Sequence, residues 1–137
     1  IDRKAISDIV FHDEEARKQL EQLIHPRVRC MQEAQFAETG ASTRGLVIDA
    51  PLLIEAGLDT LCDALIFVES SRELRLSRVS ESRGWTLEEL DRREDAQLPL
   101  DTKRNKADYV LINEGELDEV RNQVKQILED IHNVRHI

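Results

Sequence analysis

Three arginines, Arg78, Arg83 and Arg93, are the side chains of this 137-residue chain best suited to handling phosphate. Their guanidiniums are planar forks of donors, and they fall on or between two successive charged helical patterns ahead of an apolar run. A helical hairpin carrying arginines over a phosphate site acts as a lid, supplying donors to a transferred phosphoryl group and excluding water as it closes. Surface arginines paired with neighbouring acids would give the same pattern. Asp49 ends an apolar, β-branched run, as an acid that orders Mg²⁺ or its waters does; an acid capping the next loop reads the same way. His25 stands before Pro26, where it suits a ligand contact or, from pattern alone, a helix cap. His132 and His136 are four apart but have no acid or third ligand beside them, which argues against a metal site. No Ser or Cys sits in a strand-turn-helix elbow, so triad hydrolysis has no support. Gly40 and Gly45 have GxxxxG spacing but lack the following Lys-Ser/Thr and precede a strand pattern, so they are not a phosphate-binding loop.

The bulk properties narrow the field. Nineteen Lys+Arg against 28 Asp+Glu give a formal charge of −9, which argues against general nucleic-acid binding. The balance is uneven: residues 72–106 carry nine basic and eight acidic side chains, a net of +1, leaving −10 on the rest. Such a segment could face a small polyanion or be a solvated helix face. At 40 % hydrophobic residues with periodic Leu, Ile and Val, the chain reads as one folded, helix-rich domain. No apolar run approaches membrane-span length, and no signal segment opens the chain. Cys30 and Cys62 form no CxxC pair or disulfide framework, so the expected setting is reducing and cytoplasmic.

The elements that must position these residues follow from periodicity. Ala5, Ile6, Ile9 and Val10 predict a short amphipathic helix over 3–11. Asp13 suits the N-cap of a second helix with an Ala16, Leu20, Leu23 and Ile24 stripe, and His25-Pro26 predicts a break or kink in it. Gly45–Asp49, Ala64–Glu69 and Tyr109–Ile112 read as strands buried on both faces. Ser70 with Glu73, and Thr86 with Glu89, read as capping boxes opening helices that run to Arg83 and to about Ala96; Gly84 stops the first. Leu117, Val120, Val124, Ile127, Leu128 and Ile131 share one face of a last helix. This alternation predicts an α/β fold, a parallel sheet flanked by helices. Ligands of such sheets lie beyond the carboxyl ends of the strands, which points to Asp49-Ala50-Pro51, Glu69-Ser70 and Asn113-Glu114-Gly115 along one edge.

Taken together, these pieces resemble the dephospho-coenzyme A kinase family. The words that carry the resemblance are Ile1-Asp2-Arg3-Lys4-Ala5-Ile6, Val10-Phe11 with Asp13-Glu14, and His25-Pro26. They continue with Asp49 to Leu58, including Pro51-Leu52-Leu53-Ile54-Glu55, and with Leu74-x-Leu76-x-Arg78-x-x-x-x-Arg83. Arg93-Glu94-Asp95-Ala96-Gln97-Leu98-Pro99, then Lys103-Arg104 and Ala107 to Gly115, complete them. They stand in family order and cover nearly the whole chain.

The resemblance implies a kinase fold of the P-loop nucleoside-kinase type, with a helical substrate-binding subdomain over about 1–44, a helical lid over about 72–98, and the remainder as α/β core. It implies transfer of the γ-phosphoryl of ATP, with Mg²⁺, to the ribose 3′-hydroxyl of dephospho-CoA, the last step of CoA synthesis. His25, Pro51, Leu52, Leu53 and Glu55 would then face dephospho-CoA. Arg93 and Arg78 would stabilise the phosphates catalytically. Arg83, Gln97, Asn113 and Gly115 would hold ATP, and Asp49 would be a weaker candidate toward Mg²⁺ through water. The family's first strand, P-loop and early general base have no counterpart here, so the expectation is one kinase domain, incomplete at its N-terminus. The isolated chain is expected to be inactive and poorly stable, with apolar sheet edge uncovered. Two other readings stay open: a different P-loop small-molecule kinase, or a non-catalytic remnant that binds CoA-like molecules, nucleotides or a partner protein.

Overall fold

The computed structural model describes residues 2–134, and the chain divides into two compact units, one ending at Ile48 and the other starting at Asp49. His136, one of the histidine pair considered above, lies outside the described residues.

The first unit is a helical pair, α1 (Arg3–His12) and α2 (Glu14–Ala37), packed on each other. Asp13 caps α2 as its sequence position predicts. In extended backbone, its carboxylate Oδ1 accepts the Glu15 and Ala16 amides at 2.9 and 3.0 Å. These are two of the donors every helix start leaves orphaned. Glu14 and Glu15 in the first turn oppose the positive end of the helix dipole. Pairs four residues apart line the helix: Lys18–Glu14 at 3.0 Å and Arg29–Glu33 at 3.2 Å. The expected break at His25-Pro26 does not occur. α2 runs on through Pro26, which deprives the Gln22 carbonyl of an amide partner while the surrounding turns hold. α2 buries no side chain; Leu23, Val28 and Met31 are exposed.

Gly45–Asp49, expected as the first strand, is irregular backbone, with Leu46 exposed and Val47 88 % exposed. An extended run becomes a strand only when a neighbour takes its N–H and C=O groups. Among the described residues, none pairs with this one. A β-branched pattern supplies the propensity but not the partner.

The second unit holds the sheet: β1 (Ile66–Glu69) and β2 (Tyr109–Ile112), parallel, with Ile66 opposite Tyr109 and Glu69 opposite Ile112. Between them run α3 (Arg72–Arg83), α4 (Leu87–Asp95) and α5 (Leu100–Lys106); α6 (Leu117–Val134) follows β2 and packs on it. This is the parallel, helix-flanked α/β arrangement read from the sequence. β1 departs from expectation in its burial. Ile66 and Val68 are exposed, so it is not covered on both faces as a doubly buried strand would be, and in β2 Ile112 is exposed as well. The core consists of Leu90 from α4, Leu111 from β2 and Ile127 from α6. Of the predicted α6 stripe, Ile127 is buried, Val120 and Ile131 are half-buried, and Leu117, Val124 and Leu128 are exposed.

The caps of unit two mix local and tertiary choices. Gly84 stops α3 at φ 67°, a left-handed conformation that a Cβ would strain, and its amide returns to the Ser80 carbonyl. Thr86 Oγ1 accepts the Glu89 amide at 3.3 Å, half of the expected capping box; the Glu89 carboxylate turns instead to Arg92 and Arg93. The Ser70 capping box is not formed. Ser70 Oγ donates to the Asn113 carbonyl at 2.8 Å, and α3 begins one residue later with Ser71 at its cap. α5 and the 3₁₀ turn Leu58–Leu61 are not among the elements expected from periodicity; both are too short to show a helical period.

Candidate functional site

The predicted residues of the second unit gather in three places. The first is the carboxyl end of the sheet. Beyond β1 and β2 the chain turns at Ser70 and Asn113, and Arg78 from the second turn of α3 reaches across both. Its Nη1 donates to the Asn113 carbonyl at 2.9 Å and to Ser70 Oγ at 3.1 Å. The Glu114 carboxylate accepts the Ser71 amide at 2.7 Å, and the Asn113 amide donates to the Glu69 carbonyl at 2.8 Å. Two of the three loops expected on one edge are therefore stitched together. Gly115 allows the approach of Glu119: a Cβ built there would collide with that carboxylate. A cleft opens beside this edge, lined by Phe67, Glu69, Ser70, Arg75, Leu100 and Arg104. Gln123 was not anticipated. Its side-chain amide donates to the Ile112 carbonyl at 3.1 Å and its oxygen accepts the Ile112 amide at 3.0 Å, standing in for a strand neighbour.

The second place is the α3–α4 hairpin. Trp85, the single tryptophan, follows the Gly84 stop, and two predicted lid arginines converge on its ring. The Arg93 guanidinium lies 4.2 Å and that of Arg83 5.0 Å from the ring centroid, within cation–π range. Glu89 also pairs with Arg93, at 2.7 Å, and with Arg92. Burial alone would push its carboxyl up, but the Arg93 hydrogen bond and the charges of Arg93 and Arg92 outweigh this and hold it below the usual range. The hairpin is tied by Arg75 to Glu94 at 3.0 Å and by Arg72 to Asp91. The arginine trio is thus divided: Arg83 and Arg93 meet on Trp85, while Arg78 is bound to the sheet edge. A tryptophan between two arginines beside a helix stop was the visible signal for this grouping.

The third place joins the Pro51–Glu55 loop to the end of α4. The loop closes on itself through Ala56 N–H to the Leu52 carbonyl at 2.9 Å and Gly57 N–H to the Ile54 carbonyl at 3.0 Å. Lys103 of α5 donates to the Pro51 carbonyl at 2.7 Å and to Gln97 Oε1 at 2.8 Å, and it pairs with Glu55 at 2.8 Å. Glu55 also accepts the Leu98 amide at 2.8 Å. Burial raises the Glu55 carboxyl, but the Lys103 and Leu98 hydrogen bonds prevail and hold it below the ordinary carboxylate range. Lys103 stood in the sequence tract Lys103-Arg104 without a role; nothing in its type or spacing pointed to Pro51, 52 residues away.

The remaining predicted residues stand apart. Asp49 is exposed on irregular backbone rather than at the end of a strand, and Pro51 and Leu52 are exposed beside it. His25 is exposed on α2, in the first unit. Among the described residues, no three His, Cys, Asp or Glu side chains converge as a metal-binding set, and no helix is long and apolar enough to cross a membrane. Cys30 and Cys62 are free thiols. Burial, with Asp59 and Asp63 nearby, pushes the Cys62 thiol up and makes it a poor nucleophile.

A family model described as dephospho-CoA kinase matches residues 1–119. The dephospho-CoA kinase of Bacillus licheniformis is 39 % identical over 135 residues, covering 98 % of this chain and 67 % of that protein. That of Geobacillus kaustophilus is 40 % identical over 129 residues, covering 93 % of this chain and 64 % of its own length. The crystal structure of TT1252 from Thermus thermophilus superposes with a TM-score of 0.81 at 33 % identity, over 94 % of this chain and 66 % of that one. The chain thus spans about two thirds of the length of the relatives it matches.

Proposed function

This chain belongs to the dephospho-CoA kinase family, and from that premise we propose that the protein transfers the γ-phosphoryl of ATP to the ribose 3′-hydroxyl of dephospho-CoA. In that reaction the bond from the γ-phosphorus to the β,γ-bridging oxygen breaks, a bond to the 3′-oxygen forms, and the hydroxyl proton leaves to a base. The chemistry is chiefly positioning and charge neutralisation. The observation that carries this reading is the family match running from residue 1 to residue 119, across both units.

The residue roles follow the clusters. Arg93, backed by Glu89 and stacked on Trp85, is assigned to the transferred phosphoryl group, with Arg83 beside it on the ATP phosphates. Arg78 is assigned to the phosphates from the sheet edge, where its hydrogen bonds to Ser70 and Asn113 hold it, and Asn113 and Gly115 are assigned to ATP. Gln97 completes the ATP side. His25 and the Pro51, Leu52, Leu53 and Glu55 loop are assigned to dephospho-CoA. The described residues offer no cage for Mg²⁺. Mg²⁺ enters with ATP as part of the substrate, with at most a water-mediated contact to Asp49. In this reading 1–44 is the helical substrate region, 72–98 the lid, and the rest α/β core. The ligands are small molecules, in keeping with the net charge of −9, and the free thiols fit a cytoplasmic setting.

The test is direct. The complete protein is incubated with MgATP and dephospho-CoA, and products are resolved by mass. Stoichiometric ADP and CoA support the reading. Phosphorylation of another nucleoside or alcohol, with dephospho-CoA untouched, replaces the substrate; tight binding of dephospho-CoA with no turnover by the complete protein replaces catalysis with binding.

A further inference from the structure

The ammonium of Lys103 has three N–H donors, and the structure gives it three acceptors on two separate segments: the Pro51 carbonyl at 2.7 Å, Glu55 Oε1 at 2.8 Å and Gln97 Oε1 at 2.8 Å. The Lys103 side chain is only 11 % exposed, although Pro51 lies at the surface. The network continues on both sides. Glu55 also takes the Leu98 amide, and Gln97 turns its own amide nitrogen back to the Arg93 carbonyl at 3.2 Å. An unbroken line of hydrogen bonds therefore runs from Pro51 through Lys103 and Gln97 to the backbone of Arg93.

We propose that Lys103 is a positioning residue that couples the Pro51–Glu55 loop to the Arg93–Gln97 segment, so that the two move as one body. The kinetic consequence rests on the functional reading above: the loop is then the dephospho-CoA side and Arg93 with Gln97 the ATP side. The coupling itself does not depend on that reading. A charge placed only to stabilise the loop needs one acceptor. This one spends a donor on Gln97, whose other end is committed to Arg93, so a shift of the loop is carried to the arginine. The role calls for lysine: its tetrahedral donors diverge toward three points, whereas the planar fork of arginine cannot meet all three from the same stem. Methionine would keep the apolar stem and remove every donor.

Hydrogen exchange on the complete protein, comparing wild type with Lys103→Met and Lys103→Arg, decides the matter. The amides of Ala56, Gly57 and Leu58 report the loop; those of Gln97 and Leu98 report the other segment. In Lys103→Met both sets are expected to exchange faster together, by about tenfold or more, the scale set by losing charge-assisted hydrogen bonds. The amides of β2 are expected to be unmoved, and Lys103→Arg is expected to fall between. Acceleration of one set alone overturns the proposal, as does acceleration that extends through β2, which marks general destabilisation. Steady-state kinetics add a second readout. Coupling raises the KM for dephospho-CoA and for ATP together, while a purely structural lysine lowers the melting temperature and leaves both unchanged below it. Should the wild type not phosphorylate dephospho-CoA, the functional reading fails, and the paired exchange still decides the coupling.

Discussion

The first unit is held by neighbours in sequence, the second by partners many tens of residues away. In α2 the cap lies two and three residues from its amides, and the Arg17–Glu21, Lys18–Glu14 and Arg29–Glu33 pairs are each four apart. In the second unit Leu65 meets Asp108, Ser70 meets Asn113, and Lys103 meets Pro51, over separations of 43 to 52 residues. The three buried side chains among the described residues all belong to the second unit. The difference teaches where each kind of information resides. Helical spacing specifies a helix locally, and the Arg83–Trp85–Arg93 grouping is nearly as local, but the sheet-edge and Lys103 contacts are made only by long-range closure.

The largest expected effect falls on the α3–α4 hairpin of the second unit, at Arg93. Arg93→Ala should slow phosphoryl transfer by a factor on the order of 10³, as loss of an arginine finger does, in a coupled assay of ADP release by the complete protein. His25→Ala, in the locally built unit, should instead raise the KM for dephospho-CoA and spare kcat. If both variants behave alike, the division of labour between the units is wrong.

Core packing comes next. Leu111→Ala should destabilise the second unit by about 2–5 kcal/mol, since Leu111 is one of its three buried side chains. Leu23→Ala, on the exposed side of α2, should stay within about 0.5 kcal/mol. Chemical denaturation followed by helix signal and by Trp85 fluorescence compares them. A large effect at Leu23 would mean that this face is covered in the complete protein.

A smaller effect is expected at the cap. Asp13→Ala removes the acceptor of two amides and should cost α2 about 1 kcal/mol, measured by circular dichroism and urea denaturation.

The smallest separates exposed from shielded charge. Lys18, chiefly through its hydrogen bond, lowers the Glu14 carboxyl on the surface of α2; Glu55 is lowered within the Lys103 network despite its burial. A carboxylate whose folded value lies below its unfolded one contributes stability above the unfolded value and loses it as pH falls through the folded value. Both contributions should therefore be complete above about pH 5 and vanish on acidification below it. Carboxyl titration by nuclear magnetic resonance in about 1 M salt should return Glu14 toward its ordinary value and leave Glu55 depressed, because screening acts on exposed pairs first. Equal salt sensitivity at the two sites would erase the distinction.

Much of the molecule could be read from the chain, and the failures are instructive. Asp13, Gly84 and Thr86 act as caps because capping is chemistry between residues two to five apart. Tyr109–Ile112, and of Ala64–Glu69 the last four residues, form strands as read, because short β-branched runs suit a pleated surface. Gly45–Asp49 has the same composition and is not a strand, because pairing is a property of two segments and none of the described residues pairs with it. Ser70 has the sequence of a helix cap, but its hydroxyl prefers a carbonyl 43 residues away.

The sequence by itself determined the caps at Asp13, Gly84 and Thr86, the alternating α/β order and the residue types suited to phosphate, because these depend on local spacing and intrinsic chemistry. Only the tertiary structure decided that Arg83 and Arg93 share Trp85 while Arg78 joins the sheet edge, and that Lys103 reaches Pro51, Glu55 and Gln97. The Trp85 grouping follows from the turn between α3 and α4, whereas the Arg78 and Lys103 contacts follow from the way the chain's long-range closure brings remote loops together. A donor's choice of acceptor is settled only once folding brings that acceptor within hydrogen-bond reach.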